Sequence, residues 1–187
     1  MDSICSGLLL NILCFLRYRD DVYDRIWQPR NFDGWTKLST SLSIESESYN
    51  EYQPPSVVMR TAVRPKNDSS PLIFTWKAEN ATSEYYLYMH FAELEELKAN
   101  QSRSFNITVN GKSFSEYVVP DYLYATTVYR TSALKIVEEY TVSIFKTENS
   151  TLPPILNAVE IYSVKNLLQS ETDQEDGMLL HMYALNL

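Results

Sequence analysis

The chain has few side chains that could perform acid–base or covalent catalysis. Its two histidines are His90 and His181, and its two cysteines, Cys5 and Cys14, lie close together near the start. Neither a Ser-His-Asp nor a Cys-His arrangement is therefore well supported, and zinc would lack nitrogen and sulfur ligands. The four glycines are too scattered to form a phosphate-binding loop. We expect no catalytic residue, no metal ion and no cofactor.

Two groups of carboxylates could still suggest chemistry. Glu93, Glu95 and Glu96 could supply the acid pair of a glycosidase, but a glutamate run that follows a strand is far more often a solvated surface loop. Three aspartates fall within residues 20–24, yet a calcium loop needs further oxygen ligands and a glycine at its turn. We favour non-catalytic interpretations of both groups.

The aspartates at 20–24 alternate with arginines and large apolar side chains. This mixture predicts an ion-paired entry segment, in which Tyr23, Ile26 and Trp27 close the bottom of the core.

Binding chemistry has more support, because fourteen tyrosines are available. Sugars are held by aromatic faces together with a few polar groups at the rim. For each tyrosine, an ordinary position on a sheet with its hydroxyl at the edge is an equally good interpretation, and His90 is better explained as a hydrogen-bonded strand residue. The candidate ligand-binding residues are Tyr86, Tyr88, His90, Tyr122, Tyr124 and Tyr129.

Charge and sequons indicate the type of partner and the compartment. The net charge is −8 and the 16 basic residues are scattered, which argues against a nucleic-acid partner. Five Asn-x-Ser/Thr sequons favour a secreted or lumenal protein, although coincidental surface sequons remain the alternative. The candidate glycosylation sites are Asn67, Asn80, Asn100, Asn106 and Asn149.

The stretch 84–97, which begins with a central strand, is the part of the chain around which the domain should be organised. Tyr85, Leu87, Met89 and Phe91 share one face, whereas the tyrosines at 86 and 88 share the other with His90. One face should meet an opposing sheet, and a loop or a ligand should cover the tyrosine face. The acidic residues after the strand should form a surface loop.

Other elements follow from local patterns. Asn110-Gly111 predicts a type I′ hairpin turn after the strand 105–109, in which Asn106 points outward. Alternation predicts strands over 35–44, 72–77 and 155–164, of which 155–164 should be the last strand of the chain. Segments 131–137 and 140–145 resemble an antiparallel pair. Short strands separated by turn signals indicate an all-β antiparallel β-sandwich.

The chain should contain one domain, because 187 residues are too few for two ordinary ones. We expect an apolar N-terminal segment at 1–16, which is ambiguous between a signal, an anchor and a vestigial segment. The β-sandwich domain should occupy 17–168. An acidic linker and an apolar tail should occupy 169–187.

Five ordered stretches carry a family resemblance: RDDVYDRIW (19–27), PPSVVMRTA (54–62), YYLYMHFAEL (85–94), FNITVNG (105–111) and STLPPILNAVEIY (150–162). In sequence and spacing they resemble the malectin-like ectodomain of plant leucine-rich-repeat receptor-like kinases. The resemblance implies the second of two tandem malectin modules, a jelly-roll-like sandwich of the carbohydrate-binding-module type. It also implies a truncated receptor-kinase-type product whose two ends are foreign to the family.

The resemblance implies a non-catalytic extracellular module that binds carbohydrate or peptide. It places the chain outside the cell, secreted or membrane-associated, with receptor-like kinases as further partners. In the sugar-binding animal relative, aromatic residues follow the Phe-Ala-Glu element, whereas here Phe91-Ala92-Glu93 is followed by the segment LEEL at 94–97. Peptide recognition therefore competes with glycan binding. The alternatives are a fragment that associates with full-length receptors and a non-functional gene product.

Overall fold

The computed structural model describes residues 16–17, 21–30, 32–46, 51–80, 82–135, 137–165 and 178–186. The predicted N-terminal segment lies almost entirely outside these ranges, as does the acidic linker at 169–176. The strands in chain order are β1 (Leu16–Arg17), β2 (Ile26–Pro29), β3 (Trp35–Ser39), β4 (Glu45–Ser46), β5 (Thr61–Pro65), β6 (Leu72–Lys77), β7 (Glu84–Phe91), β8 (Phe105–Val109), β9 (Lys112–Val118), β10 (Tyr124–Tyr129), β11 (Leu134–Lys135), β12 (Glu139–Lys146), β13 (Ala158–Lys165) and β14 (Met178–Asn186), with helix α1 (Ser56–Met59) before β5.

These strands form the predicted all-β, largely antiparallel architecture. The large sheet has the order β1-β2-β14-β13-β7-β10-β4, and β11 also pairs with β7. The small sheet has the order β6-β12-β8-β9, and β3 pairs with β5 in a separate ribbon. The pairings of β4 with β10 and of β2 with β14 are parallel.

Strand β7 is central in the large sheet, as its two-sided bulk predicts. Tyr85, Leu87, Met89 and Phe91 are all buried. The ring of Phe91 lies 5.1 Å from that of Phe105 in the small sheet, and further contacts join Tyr85 to small-sheet aromatic rings. The hydrophobic core therefore lies between the two sheets, and the tyrosine face of β7 points away from it.

The β8–β9 hairpin confirms the turn prediction. Asn110 and Gly111 have φ angles of 50° and 73°, the left-handed values that a type I′ turn requires. The side chain of Asn110 also accepts a hydrogen bond from the backbone N–H of Thr141 at 2.7 Å, which ties the turn to β12.

Two predictions were wrong, one about strand pairing and one about strand order. Segments 131–137 and 140–145 do not pair with each other, because β11 joins β7 in the large sheet whereas β12 lies between β6 and β8 in the small sheet. The strand predicted at 155–164 is β13, but it is not the last strand. Strand β14 follows it, pairing antiparallel with β13 and parallel with β2.

The entry segment is ion-paired, as predicted, but only one of its three apolar residues plugs the core. Trp27 is fully buried, whereas Tyr23 and Ile26 are exposed. Nε of Arg25 donates to the Asp21 carboxylate at 2.9 Å. The same carboxylate accepts a 2.7 Å hydrogen bond from the Trp27 indole, so this segment is fixed to the sheet by its polar side chains as well as by burial.

Candidate binding site

The outer face of the large sheet carries four tyrosine rings in mutual contact, which we call the tyrosine cluster: Tyr52, Tyr88, Tyr129 and Tyr162. Register explains three of the four positions. Tyr88 of β7 lies opposite Tyr129 of β10, and Tyr162 of β13 lies opposite Tyr86, diagonally next to Tyr88. Tyr52 comes from the loop before α1. This loop is the cover that the tyrosine-rich face of β7 was predicted to need.

The rings of the tyrosine cluster pack at defined distances. The centroid of Tyr52 lies 4.6 Å from that of Tyr88 and 4.8 Å from that of Tyr129. Tyr162 meets Tyr88 edge-on at 5.6 Å. Side-chain hydrogen bonds also link Tyr52 to Tyr88 and to Tyr129. Such contacts restrict each ring to one orientation, so the surface is formed before any ligand arrives.

A buried polar network lies beneath the tyrosine cluster and is centred on the Glu160 carboxylate. Oε1 of Glu160 lies 2.7 Å from Nη1 of Arg25 and 2.8 Å from Nε2 of His90. Its Oε2 accepts a hydrogen bond from the hydroxyl of Tyr162. Glu160 is almost fully buried, and its charge is stable there because these partners replace the lost water.

Arg25 joins three separate segments of the chain at this network. Besides Asp21 and Glu160, its guanidinium donates to the backbone carbonyls of Tyr52 and Gln53 at 2.8 Å each. The entry segment, the loop that carries Tyr52 and strand β13 are therefore held by one side chain. Arg25 thus anchors the backbone of the loop that carries the ring of Tyr52.

The pKa shifts of Glu160 and Arg25 agree with these contacts. Burial opposes ionisation of Glu160, but its hydrogen bond with His90 and the charge of Arg25 outweigh burial and lower the pKa of the carboxyl group. Burial also opposes the charge of Arg25, yet the carboxylates of Glu160 and Asp21 raise the pKa of the guanidinium. Both groups are therefore ionised at neutral pH.

Ionisation of Tyr52 and Tyr162 is disfavoured, so the pKa values of these phenols are raised. Burial raises the pKa of Tyr162, and the neighbouring carboxylate raises it further. Burial and adjacent phenols also raise the pKa of Tyr52. Tyr52 and Tyr162 therefore present neutral hydroxyl groups, which both donate and accept hydrogen bonds.

The predicted site residues separate into two groups in space. Tyr88 and Tyr129 lie in the tyrosine cluster, and Tyr86 is half-buried on the same face of β7. His90 lies below the cluster, fully buried, with both ring nitrogens occupied: Nε2 bonds Glu160, and Nδ1 lies 2.9 Å from Oγ1 of Thr127. This is the arrangement expected of a hydrogen-bonded strand histidine.

Two other predicted tyrosines lie elsewhere. Tyr122 is exposed and bridges to Glu93, beyond the end of β7. Tyr124 begins β10 and alternation places it on the face opposite to Tyr129. The structure therefore does not bring these two residues to the tyrosine cluster.

Four important residues were absent from the predicted site: Arg25, Tyr52, Glu160 and Tyr162. Glu160 carried a usable signal, since it is a charged residue in the middle of an otherwise apolar strand pattern, a position that requires a buried partner. Tyr52 carried no local signal, because its contacts with β7 and β10 are long-range and arise from a loop.

The glutamates after β7 differ from the predicted solvated run. Glu95 and Glu96 are exposed, but Glu93 is buried and lies 2.6 Å from Nε of Arg103. Arg103 also donates to Glu95 at 3.0 Å and to the carbonyl of Pro153. Glu93 is therefore part of a structural ion pair that fixes the 93–104 loop.

Among the residues that the structure describes, no group of three or more potential ligands could hold a metal ion. Within the same ranges, no helix is both long and apolar enough to cross a membrane.

The sequon asparagines at 67, 80, 100 and 149 are exposed, and Asn106 is half-buried.

The two sheets packed around one core define an all-β sandwich. The family model for the malectin-like domain matches residues 10–164, and the chain belongs to this family. A probable LRR receptor-like serine/threonine-protein kinase of Arabidopsis thaliana is 42% identical over 164 residues, covering 87% of this chain. A receptor-like protein kinase of the same plant is also 42% identical, covering 86%. The chain spans 19% of the length of each relative.

Solved structures support the same fold at lower identity. The extracellular domain of ANXUR1 from Arabidopsis thaliana matches with a TM-score of 0.59 and 18% identity, covering 76% of this chain and 43% of that one. A chain in the complex of the plant peptide RALF23 with FER and LLG2 matches with a TM-score of 0.61 and 16% identity, covering 77% and 44%. The predicted malectin-like sandwich is thereby confirmed.

Proposed function

We propose that this domain is a non-catalytic, extracellular ligand-recognition module of a receptor-like-kinase-type protein, and that the tyrosine cluster is its binding surface. The observation that carries the proposal is a set of partly exposed aromatic rings that a buried ion-pair network holds in place. Such pre-organisation lowers the entropy cost of binding. Catalysis has no comparable support, since both nitrogens of His90 are already engaged in structural hydrogen bonds.

A peptide is the ligand class that this surface fits best. The ring centroid of Tyr52 lies only 4.6 Å from that of Tyr88 and 4.8 Å from that of Tyr129, so the rings cover part of one another's flat area. What remains is a mixture of ring edges and neutral hydroxyls, which suits the amide groups and side chains of a peptide. The similarity to a chain solved with the peptide RALF23 is consistent with this choice.

Carbohydrate is the second candidate, and one observation favours it. Tyr129 is 44% exposed at the rim of the tyrosine cluster. An exposed ring of this kind can stack against the C–H face of a sugar while nearby hydroxyls bind its hydroxyl groups. A single stacking ring predicts weaker binding than a peptide that contacts the whole cluster.

The test is a selection followed by titration. The full chain, exported from a eukaryotic host, is used to select from a phage-displayed random peptide library, and it is titrated in parallel with cell-wall oligosaccharides. Recovered peptides that lose binding when Tyr52 is replaced by Ala would support the proposal. The proposal would be overturned if the selection recovered no peptide and no oligosaccharide bound at millimolar concentration.

A further inference from the structure

The outer face of the small sheet combines apolar side chains with one sequon. Ile73 of β6 and Phe145 of β12 are 48% and 38% exposed on this face, although Leu72, Phe74 and Ile144 beside them in the strands are buried. Asn106 and Thr108 point to the same side of β8, because Phe105, Ile107 and Val109 fill the core side. A sequon thus lies in the middle of a partly apolar sheet surface.

The asparagine side chain is already oriented within this surface. Oδ1 of Asn106 accepts a 2.9 Å hydrogen bond from the backbone N–H of Tyr117 in β9, at an irregularity in the β8–β9 pairing where Tyr117 has a φ of 54°. This bond uses the oxygen of the amide and leaves Nδ2 as the atom directed away from Tyr117. An N-linked glycan is attached through Nδ2, so the hydrogen bond can persist after attachment.

Aromatic residues lie next to Asn106 on both neighbouring strands. Phe145 is the direct register partner of Asn106 on β12, a relationship that puts the two Cβ atoms about 5 Å apart. On the other side, in β9, Tyr117 is 65% exposed. Aromatic faces at this distance are suited to pack against the C–H groups and the acetyl methyl group of a first N-acetylglucosamine.

The other four sequons have a different setting. Asn67, Asn80, Asn100 and Asn149 lie in exposed connections between strands, outside the strand faces. A glycan on a connection extends into solvent, whereas a glycan on β8 starts from the face of a sheet with strands on both sides.

We propose that Asn106 carries an N-linked glycan whose first sugar lies on the outer face of the small sheet and covers Phe145 and Tyr117. In the transfer step, Nδ2 of Asn106 forms a bond to the anomeric carbon of the first sugar of a lipid-linked oligosaccharide diphosphate. The bond from that carbon to the diphosphate oxygen breaks, the lipid diphosphate leaves, and the amide nitrogen loses one proton.

The glycan has two consequences for the domain. It covers apolar surface that is otherwise in contact with water, so it stabilises the fold. It also occupies the small-sheet face, which leaves the tyrosine cluster on the opposite sheet open to a ligand. The proposal rests on the extracellular location proposed above, so the test supplies its own export signal, and failure of the native N-terminus to direct export cannot be mistaken for absence of the glycan.

The test compares Thr108→Ala, which destroys the sequon, with Thr108→Ser, which keeps it. Each full chain is expressed behind a cleavable export signal in insect or plant cells and, separately, in bacterial cytosol without glycosylation. Glycopeptide mass spectrometry measures occupancy at Asn106, and thermal unfolding measures Tm. The bacterial pair gives the effect of the substitution alone.

We expect high occupancy at Asn106 in the exported wild-type and Thr108→Ser chains. The exported Thr108→Ala chain should have a Tm lower by about 2–4 °C after the bacterial difference is subtracted. Phe145→Thr, a change at an exposed position, should remove most of that glycan-dependent difference. An unmodified Asn106 would overturn the proposal, as would a glycan-dependent Tm difference that is zero or is unchanged by Phe145→Thr.

Discussion

Arg25 and Glu160 are 135 residues apart in the chain, yet Nη1 of Arg25 lies 2.7 Å from Oε1 of Glu160, and both side chains are almost fully buried. This ion pair connects the entry segment to the middle of β13. Arg25 also donates hydrogen bonds to the carbonyls of Tyr52 and Gln53. The ion pair therefore helps to hold the loop of the tyrosine cluster as well as the entry segment.

Loss of the buried cation should strongly destabilise the domain. Arg25→Met leaves the Glu160 carboxylate without its main cationic partner, which we expect to lower the free energy of unfolding by about 3–5 kcal/mol. Urea denaturation at pH 7 measures this loss in the free energy of unfolding. Arg64→Met is the matched control, because the Arg64 pair with Asp68 is 3.7 Å long and partly exposed, and its loss should cost at most ~1 kcal/mol. Equal losses for the two variants would contradict the central role of the Arg25 pair.

Acid should remove the contribution of Glu160 in a defined direction. The pKa of this carboxyl is lowered in the folded state from an ordinary value of 4.5, so the folded protein favours the ionised form. Its stabilising contribution is complete above pH 4.5 and is lost as the pH falls through the lower folded-state pKa.

The difference in unfolding free energy between wild type and Glu160→Gln isolates this group from other carboxylates. We expect the difference to be constant from pH 7 to pH 5 and to shrink at lower pH, as Glu160 in the wild-type chain becomes protonated. Denaturant titrations across this pH range provide the measurement. A difference that stays constant down to the lowest pH at which the protein folds would show that the ionised form is not specifically stabilised.

The second residue of the β8–β9 turn should favour glycine over a residue with a side chain. Gly111 has a φ of 73°, so Gly111→Ala should cost about 1–2 kcal/mol of stability, although no atom lies within 4 Å of the added methyl group. Gly34→Ala is the control, because that site is equally open and has no left-handed φ; its effect should be near zero or slightly stabilising. Thermal unfolding of both variants decides the matter, and a neutral Gly111→Ala would mean that the turn is not type I′.

Sequence patterns predicted those parts of the fold that depend on local information. The alternating sides of β7 were correct because burial of one face imposes a period of two, and the hairpin was correct because Asn110-Gly111 encodes its own turn. Pairing between distant segments has no such local code. The partners of β11 and β12 were therefore missed, as was the placement of β14 between β2 and β13.

In the candidate site too, the parts that depend on local sequence were predicted and the parts that depend on long-range contacts were not. Tyr88 and Tyr129 were chosen for their residue type and strand position, and the register brings them together. Tyr52 reaches them from a loop whose path depends on carbonyl contacts with Arg25, which no local pattern reveals. The acidic run was misjudged at Glu93 because its partner Arg103 becomes a neighbour only when the 93–104 loop folds back.

The claim that the tyrosine cluster binds the ligand makes a prediction about two equally exposed tyrosines. Tyr129 belongs to the cluster, whereas Tyr122 has a similar exposure of 47% but lies beyond the end of β7, roughly 15 Å along the strand direction. Tyr129→Ala should therefore weaken binding, and Tyr122→Ala should not.

The most direct measurement is calorimetric titration of wild type, Tyr129→Ala and Tyr122→Ala with a library-selected peptide and with cell-wall oligosaccharides. We predict that Tyr129→Ala weakens binding of the peptide about tenfold or more, equivalent to at least ~1.4 kcal/mol, while Tyr122→Ala changes it less than about twofold. Equal affinities for wild type and Tyr129→Ala, or a larger loss for Tyr122→Ala, would contradict the assignment of the binding surface to the tyrosine cluster.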